Sequence, residues 1–329
     1  MRVLGIDIGG TKTALALCEL SGTEVTGISG LTTLISRDFT SLETMIHEWQ
    51  MSHPSLVYDA VGAGVAGPVV ENKVHLTNLG WSIDGQRVSE AVKKPVFLCN
   101  DMRSHGWGIV GMREDDRIIL NAGIPREGAK ALIAAGTGLG ESIIPWAGDR
   151  HLPMGGEGGH ATFGPSSEIE SELHRYLRAR IGEHVSWERV LGGFDGLRNL
   201  ILFWREQVNA SATPEWARSL TDLSADWGAA LIQAGGNGEP MANDILSFYA
   251  TLYGKEAGNL ALKCLPFNGL YIGGGIAPRI CPWLEKYFMK GFTDKGRFAK
   301  MMESIPVYVV MDPLNGLKGA ALQCERNLP

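Results

Sequence analysis

Two hydrophobic rhythms alternate along this chain. Leu4, Ile6 and Ile8 alternate with Gly5 and Asp7, the period-two pattern of a strand with at least one buried face. Gly9-Gly10 predicts a tight turn, residues 13–18 a second strand and residues 23–29 a third, together an antiparallel meander. Residues 39–51 switch to helical spacing, with Leu42, Met45, Ile46 and Trp49 on one face. A buried strand over 59–65 runs into Gly67-Pro68, and 69–75 reads as a hairpin turning at Glu71-Asn72. Asp84 is placed to cap a helix carrying Val88, Ala91 and Val92. Pro95 opens the strand 96–99, and Asn100-Asp101 stands at its C-terminal end before a helix to about Val110.

A second unit is expected from about Gly111. It starts with a strand over 130–135, the turn Gly136-Thr137-Gly138-Leu139-Gly140 and a strand to Trp146. A glycine-rich stretch with Glu157 and His160 precedes a helix over 168–180, and Ser186 is read as the cap of a helix holding Glu188. A long helix over 240–264 and a strand over 269–272 lead to Gly273-Gly274-Gly275. A strand over 307–310 and a small-residue helix over 316–323 close the chain. The fold class is therefore α/β with two domains, as a length of 329 residues suggests. The expected boundaries are 1–110 for a small domain completed by about 306–329, and 111–305 for a large one.

Composition narrows the classes. The formal charge is 30 − 36 = −6 without a basic block, which argues against nucleic acid or an anionic membrane as partner. No apolar run reaches about 18 residues, so no membrane span is expected. The N-terminus runs straight into a strand, unlike a signal peptide. Five cysteines lie scattered without a C-x-x-C pair, which predicts reduced thiols and a cytoplasmic setting.

The candidate chemistry sits at strand ends. The turn at Gly9, Gly10 and Thr11, followed by Lys12, offers bare N–H groups and a hydroxyl to a phosphate, and Asp7 beside it can hold Mg²⁺ directly or through water. Gly136, Thr137 and Gly138 repeat that arrangement after another strand, as if two domains gripped one polyphosphate. Gly274 and Gly275 would let a base or ribose approach the backbone. Asp101 is positioned as a general base with Asn100 orienting the substrate, or equally as a helix cap. Glu157 and His160 flank Gly158-Gly159 and suit a polyol, although a lone His is more often structural. Glu188 is either a ligand or a first-turn acid complementing its helix dipole.

Taken together, these motifs resemble the bacterial glucokinases of the sugar kinase, actin and Hsp70 superfamily, over nearly the whole length. Asp7-Ile8-Gly9-Gly10-Thr11 and Ala135 to Gly140 are similar to its two phosphate motifs, and Gly273-Gly274-Gly275-Ile276-Ala277-Pro278 to its adenosine motif. Asn100-Asp101, Gly156-Glu157-Gly158-Gly159-His160 and Ser186 to Leu191 resemble its glucose-binding stretches, and Thr77-Asn78 with Trp81 a segment near the sugar. The resemblance implies an actin-like (ribonuclease H-like) sugar kinase fold with a cleft between domains. It also implies phosphorylation of glucose at the 6-hydroxyl by Mg·ATP, with ATP and Mg²⁺ as cofactors and a cytoplasmic homodimer. By the same resemblance Asp101 is the base. Asn78, Asn100, Glu157, His160 and Glu188 hold the sugar, and Asp7 holds Mg²⁺ through water. Thr162, Met102, Arg103 and Ser104 depart from the glucokinase pattern, and Thr11-Lys12-Thr13 looks more like the ROK kinases, whose cysteine-rich zinc motif is absent. Another hexose or an amino sugar is the alternative substrate. A sugar-sensing regulator would need a DNA-binding module upstream of Leu4, and an actin-like ATPase has no use for the sugar-type residues.

Overall fold

The computed structural model describes residues 1–182, 184–222 and 225–325. Residues 326–329, the end of the expected closing segment 306–329, lie outside the described residues. The chain forms two compact units. The first comprises Met1–Asp116, Ser142–Gly155 and Asp312–Pro329, the second Arg117–Glu141 and Gly156–Met311.

The strands of the first unit are β1 (Arg2–Ile8), β2 (Lys12–Ser21), β3 (Glu24–Ile35), β4 (Ala60–Val65), β5 (Lys73–Leu76), β6 (Trp81–Asp84) and β7 (Val96–Asn100). Its main sheet has the order β3-β2-β1-β4-β7. The predicted meander is its antiparallel part, and β4 and β7 run parallel to β1. Leu4, Ile6, Ile8, Val61 and Val65 fill the core on one face of β1 and β4, and the smaller Val3 and Ala60 are buried on the other. One face packs on the helix Leu42–Ser52 through Met45, Ile46 and Trp49. That helix is capped by Ser41, which accepts from Thr44 N–H at 3.4 Å.

The other face is covered by the helices Asp101–Val110 and Asn315–Glu325. Their approach depends on glycine. A methyl group on Gly62 of β4 would overlap the Ala320 carbonyl, and one on Gly319 would overlap the Ser104 carbonyl. The Ser104 hydroxyl donates to the Asp101 carbonyl at 2.7 Å. This close packing fixes the helix that begins with Asp101 against the strand that ends with Asn100.

The hairpin expected over 69–75 is only partly as read. Glu71 and Asn72 do turn, with φ of 50° and 59°. Beyond the single bridge from Val70 to Lys73, however, β5 pairs with β6 over Lys73–Asp84 to Leu76–Trp81. The apolar alternation of 73–76 and 81–84 decides this, since Val74, Leu76, Trp81 and Ile83 bury the same face. Asn72 then reaches the edge strand β7. Its amide donates to the Val96 carbonyl at 2.9 Å and accepts from Leu98 N–H at 2.8 Å.

In the second unit the strands are β8 (Arg117–Asn121), β9 (Lys130–Ala135), β10 (Leu139–Ile144), β11 (Met154–Gly156), β12 (Leu270–Gly273) and β13 (Val307–Val310), in sheet order β11-β10-β9-β12-β13-β8. The chain leaves the second unit within β10 and returns within β11. The helix Pro240–Cys264 begins with proline at its first position and is capped by Glu239, which accepts from Ala242 N–H at 2.7 Å. Its buried face carries Tyr249, Tyr253, Glu256 and Leu260, and Tyr253 reaches β9 and β12.

The glycine contacts around Asn315–Glu325 generate a prediction. Gly319→Ala should separate two helices that touch through backbone, at a cost of about 1–3 kcal/mol as for other overpacked sites. The urea midpoint of the variant should fall. An unchanged midpoint would show that the helices do not approach as described.

Candidate active site

In the first unit the C-terminal ends of three strands line up. Asp7 of β1, Gly64 of β4 and Cys99 of β7 stand in one row, and Ile8, Val65 and Asn100 in the next. Asp7 and Asp101 therefore share one end of the sheet. Their charges are felt by the Cys99 thiol, which burial above all pushes up to about 12, with Asp101 and Asp7 adding and Arg103 opposing. That thiol stays neutral and inert near neutral pH.

Asn100, not Asp101, is the helix cap: its Oδ1 accepts from Arg103 N–H at 3.2 Å. Its Nδ2 donates to Asp101 Oδ1 at 2.9 Å. Asp101 Oδ1 also takes Met102 N–H at 2.8 Å. The amide thus orients the carboxyl, which also takes one first-turn N–H of the helix.

The turn at Gly9 closes with Gly9 N–H on the Lys12 carbonyl at 3.0 Å. Buried Ser36 ties it down. Its hydroxyl donates to the Gly9 carbonyl at 2.7 Å, and its N–H to the Thr11 carbonyl at 3.0 Å. Thr11 and Lys12 are exposed, and Gly10 faces Asn78, whose Cβ would lie 3.8 Å from a Cβ there. Asn78 is thus brought to the first phosphate-type turn. Gly316 lies against Asp7 and His105, and Asn315 donates to the His105 carbonyl at 3.0 Å. Sequence reasoning passed over Ser36, His105 and Asn315. A lone serine at a strand end carries no signal of what it will hold.

The second unit gathers the other candidates. Gly136 N–H bonds the Gly138 carbonyl at 3.0 Å, closing the second turn. Glu188 Oε2 accepts from Leu139 N–H at 3.0 Å, immediately after it, and lies so close to Gly138 that a methyl there would clash. His160 Nε2 stands 3.9 Å from Glu157 Oε2 and 4.0 Å from Glu188 Oε1. Glu157, His160 and Glu188 therefore form one cluster, joined by Glu188 to the second phosphate-type turn. Ser186 does not cap the Glu188 helix as expected. It bridges to Thr162, and Trp187 takes the cap position without a side-chain bond, because the backbone there is pinned in a strand-like pairing.

Gly192-Gly193 was not singled out from the sequence. Gly193 N–H donates to the Gly136 carbonyl at 2.9 Å, and Phe194 N–H to that of Thr137 at 3.3 Å, so this pair backs the second turn. Gly274, at φ 84°, packs on the Ala135 backbone, and Gly275 beside it is open. Buried Tyr253 joins the two turns. Its hydroxyl accepts from Ala135 N–H at 2.9 Å and lies 3.4 Å from the Gly273 carbonyl.

The sequence model of the glucokinase family matches residues 4–327. The chain belongs to the glucokinase family. The glucokinase of Nostoc punctiforme is 36% identical over 343 residues, covering 98% of this chain and 99% of that one. Among solved structures, a glucokinase from an Antarctic psychrotroph is 27% identical with a TM-score of 0.84, covering 99% of both chains. A ROK family glucokinase from Streptomyces griseus, solved with glucose and AMPPNP, shares the fold at 22% identity and a TM-score of 0.68, covering 99% of this chain and 100% of that one. The α/β architecture of a two-domain sugar kinase, expected from the resemblance, is thereby established.

Tyr253→Phe tests the support beneath the nucleotide-type turns. It leaves the buried Ala135 N–H unpaired, which should cost about 1–3 kcal/mol of stability. The KM for nucleotide should rise while glucose affinity measured without nucleotide stays within about twofold. Equal losses for both ligands would mean that Tyr253 serves general packing.

Proposed function

We infer that this protein transfers the γ-phosphoryl group of ATP to the 6-hydroxyl of glucose. The observation that carries the reading is the cluster of Glu157, His160 and Glu188, bonded through Leu139 N–H to the turn at Gly136. Two carboxylates and an imidazole in one cluster match neighbouring hydroxyls of a sugar, because each carboxylate oxygen takes a hydroxyl proton. Family membership and the glucose and AMPPNP bound by the Streptomyces griseus protein support the same assignment.

Asp101 accepts the proton of the attacking hydroxyl, with Asn100 holding both the carboxyl and the sugar. The turns at Gly9 to Lys12 and Gly136 to Gly138 give N–H groups to the phosphates, and Gly274-Gly275 leaves room for the adenosine. The donor set near Asp7 fits Mg²⁺. No group of three or more His, Cys, Asp or Glu that could hold a metal ion occurs among the described residues, and Mg²⁺ on a phosphate substrate needs only one or two carboxylates and its own waters. Asp7 would hold it through water, and when bound it supplies neutralising charge to the phosphates. Phosphoryl transfer has a loose transition state, so positioning and charge neutralisation dominate and the base assists. Among the described residues no helix is long and apolar enough to cross a membrane. The reading includes a cytoplasmic homodimer, which light scattering would check.

A coupled assay with glucose and Mg·ATP tests the activity, and Asp101→Asn tests the base. The variant should lose about 10²–10⁴-fold in kcat with glucose affinity largely kept, since an amide still bonds the hydroxyl. A near wild-type kcat would remove Asp101 from its role.

The sugar cluster also sets selectivity. N-acetylation at carbon 2 removes a hydroxyl donor and leaves a carboxylate poorly paired, at about 1–3 kcal/mol or roughly 5–150-fold. The kcat/KM for glucose should exceed that for N-acetylglucosamine by at least this much. Comparable values would make this an amino-sugar kinase.

A further inference from the structure

Beneath the turn that carries Glu157 and His160 lie two more acids that the proposed chemistry does not use. Glu141 on β10 is 4% exposed, and Glu256 on the helix Pro240–Cys264 is 1% exposed. Their Oε1 atoms are fully buried and meet no N–H or O–H donor among the described residues. The two carboxyls instead lie within hydrogen-bonding reach of each other. Two carboxylates cannot form that bond, and one must carry a proton to make it.

The surroundings say which. Lys295 donates to Asn259 Oδ1 at 2.9 Å, which turns the Asn259 amide so that Nδ2 donates to Glu256 Oε2 at 2.8 Å. Glu256 therefore accepts on one oxygen and donates from the other, and Glu141 receives that proton. Glu141 is in turn pressed on the sugar turn: a methyl on Gly158 would overlap its Oε2, and one on Gly159 would overlap the Leu139 carbonyl. Two residues before Glu141 on the same strand, Leu139 N–H holds Glu188.

We propose that Glu141 and Glu256 are a positioning pair that shares one proton, and that this proton keeps the turn at residues 156–160 set for the sugar. The inference rests on the kinase reading given above. Loss of the proton puts two negative charges into a buried site, and the repulsion is relieved where Glu141 can move, against Gly158. Burial pushes both acids up, Glu256 to about 8. The charged and titratable groups facing the pair are Lys263 and Lys295, which favour ionisation. Cys264 and Tyr253 also face it and stay neutral in this range. An acid raised from 4.5 to about 8 by folding contributes stability that is complete below the lower value and is lost as pH rises to the upper one.

The test is the pH profile of glucose binding, read from tryptophan fluorescence without nucleotide and from KM at saturating Mg·ATP. Wild type should bind glucose about tenfold more weakly at about pH 9 than at pH 7, since each unit beyond the midpoint removes about tenfold of the protonated form. Glu256→Gln, whose amide donates permanently to Glu141, should keep a flat profile at the wild-type neutral value. The kcat profiles of the two proteins should coincide. The same alkaline rise in the variant would overturn the proposal. If the variant fails to fold, the infrared carbonyl band of a neutral carboxylic acid decides the matter in the wild-type protein. It should be present at pH 7 and fade in step with glucose affinity; a folded protein without that band at pH 7 overturns the pair. A wild type that phosphorylates no sugar would sink the kinase reading instead, while the infrared band would still report on the pair.

Discussion

The candidate site of the second unit depends on one constraint: the ends of β9 and β10 must be held by groups buried beneath them. The helix Pro240–Cys264 supplies two of these. Tyr253 takes the N–H of Ala135, the last residue before the Gly136 turn, and Glu256 bonds the carboxyl of Glu141 under Gly158. Each is a polar group carried into an apolar core, where its cost is offset only by a partner in the right place. One helix thereby sets the heights of both the phosphate-type turn and the sugar-type turn. Above them Glu188 links the two, with one carboxylate oxygen on Leu139 N–H and the other near His160.

The first unit solves the same problem with shorter side chains. Ser36 ties the Gly9 turn, and Ser104 ties the first turn of the Asp101 helix. Asn72 extends the bonding of β7, the strand that delivers Asn100. In the first unit the residues proposed to meet substrate sit at strand ends, and in the second His160 lies on a turn and Glu188 opens a short helix; in both, polar groups from behind aim them. Small errors in geometry cost large factors in rate, so such support matters as much as the residues it aims.

Much of this was legible in the chain. The helix Pro240–Cys264 and the strand Val307–Val310 follow directly from apolar spacing between clear breakers. The glycine-rich turns stand out because paired glycines after a strand signal a turn. What pattern cannot give is the partner of a buried polar side chain. Tyr253 and Glu256 read as one more aromatic and one more helical acid, because a 3.6-residue period assigns a face and not a contact. Ser186 misled for the opposite reason: a good local cap signal lost to a bridge with Thr162, 24 residues earlier in sequence. The segment Ser142–Gly155 joins the first unit through contacts such as Pro153 against Gly106, and no composition shift announces it. Backbone bonding of the π type over Trp204–Val208 and Leu284–Phe288 was equally silent, since the apolar spacing there stays nearly helical.

The central claim is that this chain phosphorylates glucose at the 6-hydroxyl, with Asp101 as the proposed base. Product analysis by phosphorus and carbon NMR tests it most directly. Mg·ATP and glucose should give one sugar phosphate for each ADP, a monoester at carbon 6. With 6-deoxyglucose, which keeps every other hydroxyl, there should be binding without a phosphorylated product. Phosphate at any other carbon, or ATP consumed without a sugar ester, would contradict the claim.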